Sequence, residues 1–122
     1  MTLTPVMTPY EHGTVVLVRF PFTSLDSAKK RPALVVSPAA YARRYGDLAV
    51  LALTSQPQPE PSLALDRWQS AGLLGPTWIK PSLFCIHESL IERSIGTLAG
   101  DDRVRVSQAV ALLIAGEFLL RR

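Results

Sequence analysis

The chain has 122 residues, of which 48% are hydrophobic, and this is enough apolar material for one domain with its own core. No apolar run reaches the roughly 20 residues that span a bilayer, and the first ten residues lack the features of a signal peptide. A single cysteine excludes an intrachain disulfide or a cysteine-rich metal site. We therefore expect a cytoplasmic protein without membrane contact, metal or other cofactor. The net charge of +3 permits RNA, DNA or an acidic protein as a partner and selects none of them.

The first half of the chain is dominated by strand patterns. Residues 1–12 are expected to be a disordered leader or short arm, and residues 13–122 a single domain. Apolar, β-branched runs predict strands at 15–20, 33–37 and 47–55. The last of these is apolar on both faces, so we expect it inside the sheet. Residues 38–45 predict one or two helical turns that end at Gly46.

The second half mixes short strands with one long helix. The alternating prolines of 56–61 predict an exposed loop, followed by strands at 63–65, 77–80, 83–87 and 93–98 and a weak helical turn at 67–73. Gly100, Asp101 and Asp102 give a helix-capping signal, and a helix is predicted to about residue 120. Its apolar run 109–116 requires burial on more than one face, in the core or against a second subunit. This is a mostly β, α+β pattern, typical of a small, strongly curved antiparallel sheet or barrel with helical decoration.

Arg31 is the first candidate for a functional side chain. It follows Lys29 and Lys30 and precedes Pro32, which we expect at the first residue of a strand or on an edge, because proline cannot donate a ladder hydrogen bond. Arg31 is then presented at a loop-to-strand junction in a restricted, extended conformation. Its planar charged fork suits a phosphate. The simpler alternative is that the three cations form a solvated loop.

A second candidate, Thr54, is brought to Arg31 by strand pairing. If the second and third strands pair antiparallel, matching their apolar runs sets Arg31 against Thr54, although a shift by two residues fits nearly as well. Ser55 and Gln56 then share the same rim. A guanidinium, two hydroxyls and an amide in one place form a candidate anion site. The alternative is that Thr54 is a strand-end hydroxyl that satisfies a turn.

Five segments, taken in order, carry a family resemblance. They are Gly-x-Val-Val-Leu-Val-x-Phe-Pro-Phe-Thr (13–23), Lys-Arg-Pro-Ala-Leu-Val-Val-Ser (30–37), Leu-Thr-Ser-Gln (53–56), Ala-Gly-Leu-Leu-Gly-Pro-Thr-Trp-Ile-Lys-Pro (71–81) and residues 83–95. In these segments the chain resembles the MazF/PemK family of toxin endoribonucleases, the toxin halves of type II toxin–antitoxin pairs. Two positions depart from the family pattern: Thr14 and His87 stand where many members have Asp.

The resemblance implies a sheet like an SH3-like barrel, a homodimer, and metal-independent cleavage of single-stranded RNA. In this chemistry the ribose 2′-hydroxyl attacks the adjacent phosphorus, which leaves a 2′,3′-cyclic phosphate and a 5′-hydroxyl. The family's catalytic Arg matches Arg31, and its catalytic Thr or Ser matches Thr54. We expect Arg31 to stabilise the charge on the phosphoryl oxygens and Thr54 to hydrogen-bond a phosphate oxygen or orient the proton transfers.

Further RNA contacts and partners follow from the same resemblance. We expect RNA-binding roles for Lys29, Lys30, Ser55 and Gln56, and base stacking by Phe22. The implied protein partner is a cognate acidic antitoxin. One alternative is a CcdB-like toxin that shares the fold, blocks DNA gyrase and cleaves nothing; another is an RNA-binding module without turnover. Fold alone does not separate these classes, whereas an Arg-Pro and Thr-x-Gln pair favours the nuclease.

Overall fold

The computed structural model describes residues 10–20 and 29–116, apart from the side chains of Phe20 and Lys29. Its elements are β1 (Thr14–Phe20), β2 (Lys29–Val35), α1 (Ala39–Tyr45), β3 (Asp47–Thr54), β4 (Trp78–His87), β5 (Ile91–Thr97) and α2 (Gly100–Ala115), with 3₁₀ turns at Pro61–Leu63 and Glu88–Leu90. The base-stacking role expected of Phe22 and the helix expected beyond residue 116 lie outside the described residues. So does the leader up to residue 9, which stays an expectation.

The strands form one antiparallel sheet in the order β4-β3-β2-β1-β5. Strands β4 and β5 follow each other along the chain but lie at opposite edges, because β5 returns to pair with β1. The described strands therefore leave the sheet open rather than closing it into a barrel. The predicted fold class, a small antiparallel sheet with helical decoration and a C-terminal helix, is confirmed.

Both faces of the sheet are buried, because successive strand residues alternate between two apolar clusters. The first cluster faces α2 and includes Val15, Leu34, Leu51 and Val106. The second cluster faces α1 and includes Val16, Ala33, Val50 and Ala42. Two-sided burial explains why the interior strands are apolar without alternation, as predicted for β3.

Pro32 ends the ladder between β2 and β3. The amide of Gly13 donates to the carbonyl of Val35 at 2.9 Å, and the amide of Val36 donates to the carbonyl of Ala49 at 2.9 Å. Backbone polar groups alternate along a strand, so Pro32 directs its backbone towards β3, where it has no N–H to donate. Accordingly, the β2–β3 pairing begins only at Ala33, although β2 pairs with β1 from its first residue onward.

The position predicted for Pro32 and Arg31 is therefore wrong in one respect. Strand β2 begins four residues before the predicted start, at Lys29, so Pro32 lies inside a strand and Arg31 is not at a loop junction. The reason is that pairing with β1 alone extends the strand through the three cations. Arg31 instead lies where β2 has a neighbour on one side only.

Three of the strands predicted in the second half of the chain also differ in the structure. Residues 61–63 form a 3₁₀ turn that begins at Pro61, and a single bridge from Ala64 to Trp78 replaces the strand predicted at 63–65. The strands predicted at 77–80 and 83–87 are one strand, β4, with an irregularity between Lys80 and Leu83. Proline at position 81 is accommodated there because bulges on edge strands tolerate a missing N–H.

Helix α2 differs from its prediction at its N-terminus. Its N-cap is Ala99, without a side-chain cap, and Asp102 is completely buried rather than capping the helix. In the apolar run, Leu113 packs against the first cluster, whereas Leu112 is 44% and Ile114 68% exposed. The residues that the structure describes thus leave that outer face uncovered, and the second-subunit alternative stays a prediction. Among the described residues, no helix is long and apolar enough to cross a membrane.

Candidate functional site

The pairing predicted for β2 and β3 is confirmed. Ala33 pairs with Ala52, and Leu34 with Leu51. Continuing this register by two residues sets Arg31 opposite Thr54, the last residue of β3. Because Pro32 stops the ladder just before this point, the two side chains lie where the strands are no longer joined by hydrogen bonds. Both residues line the same groove.

The groove has a volume of about 810 Å³. Its floor is the first half of β2 and the end of β3, and the loop after β3 contributes Ser55, Gln56 and Gln58. One wall is the loop 72–77. The other walls are formed by one residue of β1, one residue of β4 and two residues of β5. The groove therefore crosses all five strands, at the end of the sheet where Arg31 and Thr54 lie.

Positive charge dominates this groove. Lys30, Arg31, Lys80 and Arg93 all line it, and no acidic residue does so among the residues that the structure describes. Arg31 is exposed, and within residues 10–20 and 29–116 its side chain makes no ion pair or hydrogen bond. An arginine left without a carboxylate partner in a concave site can take up an anion with its parallel donors.

Lys30 differs from Arg31 in being paired already. Its Nζ lies 3.3 Å from a carboxylate oxygen of Glu92, whose other oxygen lies 3.2 Å from Nε of Arg19. These side chains are substantially exposed, so each ion pair contributes at most about 1 kcal/mol. An anionic ligand can therefore compete with Glu92 for Lys30, at a small cost.

The hydroxyl of Thr54 already accepts one hydrogen bond. The amide of Gln56 donates to Oγ1 of Thr54 at 3.1 Å. A hydroxyl has one hydrogen and two lone pairs, so this contact occupies a lone pair and leaves the hydrogen free to be donated. Thr54 lines the groove and can therefore donate this hydrogen to a phosphate oxygen there. The predicted turn contact and the predicted anion contact are both compatible with this geometry.

The 72–77 loop is held close against β5. Gly72 has φ +84°, and a Cβ built on it would lie 2.6 Å from the carbonyl oxygen of Ile95, so no other residue fits there without a shift of the backbone. The Thr77 hydroxyl donates to the carbonyl of Gly75 at 2.8 Å. Leu74 at the loop's tip is fully exposed beside the groove. The wall is therefore packed directly against β5, the strand that carries Arg93.

Five of the seven predicted site residues lie in the groove. Lys30, Arg31, Thr54, Ser55 and Gln56 all line the groove. Lys29 is the first residue of β2, but its side chain, like the whole of Phe22, lies outside what the structure describes.

Two groove residues were missed in the sequence, namely Lys80 and Arg93. Both lie in segments that carry the family resemblance, but no role was predicted for either of them. Arg93 could have been found only from the pairing of β5 with β1, which sets it opposite Leu17. Lys80 could have been found only from the pairing of β4 with β3, and an irregularity interrupts that pairing directly after Lys80.

His12 has a perturbed environment outside the groove. Nε of Arg103, on α2, donates to its Nδ1 at 3.2 Å. Burial lowers the pKa of His12 below its ordinary value of 6.5, and the charge of Arg103 lowers that pKa further. The neutral imidazole is therefore the form that the fold prefers.

Comparison with family models identifies the family. Residues 11–114 match the model of the PemK-like, MazF-like toxins of type II toxin–antitoxin systems. This match spans most of the chain and includes every groove residue named above. The chain belongs to this toxin family. A comparison with curated proteins finds no significant match.

Solved structures with the same fold include several members of toxin–antitoxin pairs. A MazE–MazF structure from Deinococcus radiodurans superposes with a TM-score of 0.71 at 23% identity, over 88% of this chain and 98% of that one. An endoribonuclease in complex with its cognate antitoxin, from a mycobacterial species, gives 0.69 at 18% identity over 89% and 96%. The Mycobacterium tuberculosis toxin MazF-mt6 gives 0.68 at 14% identity over 84% and 96%. At these identities the likeness is one of fold.

Proposed function

We propose that this protein is a metal-independent endoribonuclease that cleaves single-stranded RNA. The observation that carries the proposal is the placement of Arg31 and Thr54 across from each other in a basic groove, with Arg31 unpaired among the described residues. Membership of the toxin family agrees with it, as does the activity named for the mycobacterial structure of the same fold.

The reaction is a transfer of the phosphoryl group from O5′ to O2′ within the RNA. The 2′-hydroxyl loses its proton and forms a bond to phosphorus, the bond from phosphorus to O5′ breaks, and the departing O5′ gains a proton. The products are a 2′,3′-cyclic phosphate and a 5′-hydroxyl. Negative charge builds on the two non-bridging oxygens in the transition state, so fixed donors at that place lower the barrier.

Arg31 and Thr54 supply such donors. The guanidinium offers two parallel N–H groups and a permanent charge, whereas its pKa, above about 12, makes it a poor base. The hydroxyl of Thr54, with its oxygen held by the amide of Gln56, donates its hydrogen to a second oxygen. Exposed Ser55 and Gln56 at the rim contact the RNA beside the scissile phosphate, and Phe22 and Lys29 keep the roles proposed from the sequence.

Cleavage of a mixed RNA in the presence of EDTA tests the proposal. Purified protein should produce fragments whose 5′ ends accept phosphate from polynucleotide kinase without prior phosphatase treatment, because they carry a 5′-hydroxyl. Loss of cleavage in EDTA with recovery on adding a divalent ion contradicts the metal-independent mechanism. Intact RNA under all conditions contradicts the nuclease and favours a toxin that only inhibits a partner, such as DNA gyrase.

We also propose that an acidic segment of a cognate antitoxin covers this groove. Two relatives of the same fold have structures with an antitoxin, named MazE in one of them. The four cations of the groove would attract carboxylates, so association should slow as ionic strength rises. Association rates that are indifferent to salt mean that the antitoxin binds elsewhere, by apolar contact.

A further inference from the structure

The groove extends to both sides of Arg31 and Thr54, and a cation lies on each side. Lys80 comes from β4 at one edge of the sheet, and Arg93 comes from β5 at the other edge. Both side chains are exposed, and neither makes an ion pair within the described ranges 10–20 and 29–116. Two unpaired cations that face one concave space favour a ligand with negative charge at more than one point.

The sheet register gives the spacing of these cations. Arg93 lies opposite Leu17, which itself pairs with Pro32, so two strand spacings separate it from β2. Lys80 lies opposite Ala52 of β3, two spacings from β2 in the other direction. Neighbouring strands are about 4.8 Å apart, so the two cations are separated by roughly 19 Å along the sheet. One phosphate group cannot contact both, whereas a strand of several nucleotides can.

We propose that Lys80 and Arg93 are two further RNA-binding residues, which contact phosphates on opposite sides of the scissile one. This inference rests on the proposed function and adds the direction of the RNA, which runs across the strands from β4 to β5. Phosphate contacts of this kind fix the register of a nucleic acid without reading its sequence. Anchored on both sides, the strand is bound across the groove with its scissile phosphate beside Arg31 and Thr54.

Salt-dependent binding measures these contacts directly. The probe is a 2′-O-methyl RNA oligonucleotide, which lacks the attacking hydroxyl and is not cleaved. The variants are Lys80→Gln, Arg93→Gln and the double variant; the matched control is Arg43→Gln, an exposed arginine on α1 beyond the far ends of β2 and β3. Each lost phosphate contact should reduce the slope of log K against log salt by about 0.7, and the control should leave it unchanged.

Cleavage kinetics on ordinary RNA separate binding from a structural role. Each variant should raise KM with little change in kcat, and Lys80→Arg should restore the slope that Lys80→Gln loses. Wild-type slopes in both single variants overturn this inference and leave the proposed function standing. A reduced kcat with an unchanged slope also overturns it. A wild-type protein that neither binds the probe nor cleaves RNA overturns the inference and the proposed function together.

Discussion

Asp102 and Arg105, one turn apart on α2, form an ion pair whose carboxylate is completely buried. The carboxylate also accepts from the backbone amides of Asp66 at 3.1 Å and Arg67 at 2.9 Å. The guanidinium of Arg105 donates to the carbonyls of residues 62 and 64 at 2.8 Å each. The pair thus fastens α2 to the segment that follows the proline-rich loop. That segment forms a β-bridge with Trp78 of β4, which in turn pairs with Thr54. The ion pair of Asp102 and Arg105 is therefore linked through the backbone to the strands that form the groove.

Replacing Asp102 with Ala should therefore destabilise the protein by at least about 2 kcal/mol, because two amides and a guanidinium lose their acceptor. The neighbouring Asp101 provides a matched control. Its exposed carboxylate lies 3.6 Å from Arg67 in a surface pair and accepts from the amide of Asp102 at 3.1 Å, so Asp101→Ala should lower the free energy of unfolding by only about 1 kcal/mol. Urea denaturation of both variants tests this. Equal stabilities for the two variants contradict the structural role of Asp102.

Arg31→Ala should lower the rate of RNA cleavage by at least about a hundredfold, the usual cost of removing a donor that stabilises transition-state charge. Arg31→Lys should recover only part of the rate, since a single ammonium cannot make the two parallel contacts. The side chain is exposed, so folding should be retained, and circular dichroism checks this. Full cleavage by a folded Arg31→Ala protein removes Arg31 from the site.

Thr54→Val should lower the cleavage rate about 10- to 100-fold, because a hydrogen bond to a charged oxygen contributes roughly 1.5–3 kcal/mol. Thr54→Ser keeps the hydroxyl and its contact with the amide of Gln56, so it should retain most of the rate. Cleavage rates of the valine and serine variants, measured at saturating RNA, test whether the hydroxyl is needed. If valine and serine variants lose activity equally, the role of Thr54 is one of packing and not of donation.

The register of β2 and β3 could be predicted because the two strands carry apolar runs whose ends can be matched. A shift by two residues fits the same pattern nearly as well, and the pairing of Ala33 with Ala52 decides between the two. The helix α1 and its end at Gly46 were predictable for a local reason: Gly46 has φ +73°, in the left-handed region that glycine favours.

What the sequence could not indicate depends on contacts between distant segments. Asp102 looks like a helix cap, but it satisfies the amides of a loop 35 residues earlier in the chain. Cys85 alternates with apolar residues in a pattern typical of a packed side chain, yet it is exposed on the edge strand β4. Lys80 and Arg93 enter the groove through pairings of the two edge strands, which no local pattern reveals.

His12 should make stability depend on pH near and below 6.5. Its pKa is lowered in the folded protein, so the unfolded chain binds the proton more readily. The stabilising effect of the neutral ring is fully present above the ordinary pKa of 6.5 and declines as the pH falls below it. His12→Gln should weaken the loss of stability between pH 7.5 and 5.5. The same pH dependence in both proteins, measured by urea denaturation, contradicts this role for His12.

The outer face of α2 provides the argument for a homodimer. Leu112 and Ile114 are 44% and 68% exposed on a helix whose last turns carry no charge up to Gly116, and exposed apolar surface of this kind is typical of subunit interfaces. We expect a dimer in sedimentation at micromolar concentration, and Ile114→Asp should shift it to a monomer because a carboxylate would be buried unpaired. Tyr45→Asp is the matched control, at an apolar side chain of α1 that is 58% exposed, and it should leave the dimer intact. A wild-type monomer at that concentration rules out the dimer, and a dimer that survives Ile114→Asp places the interface on another surface.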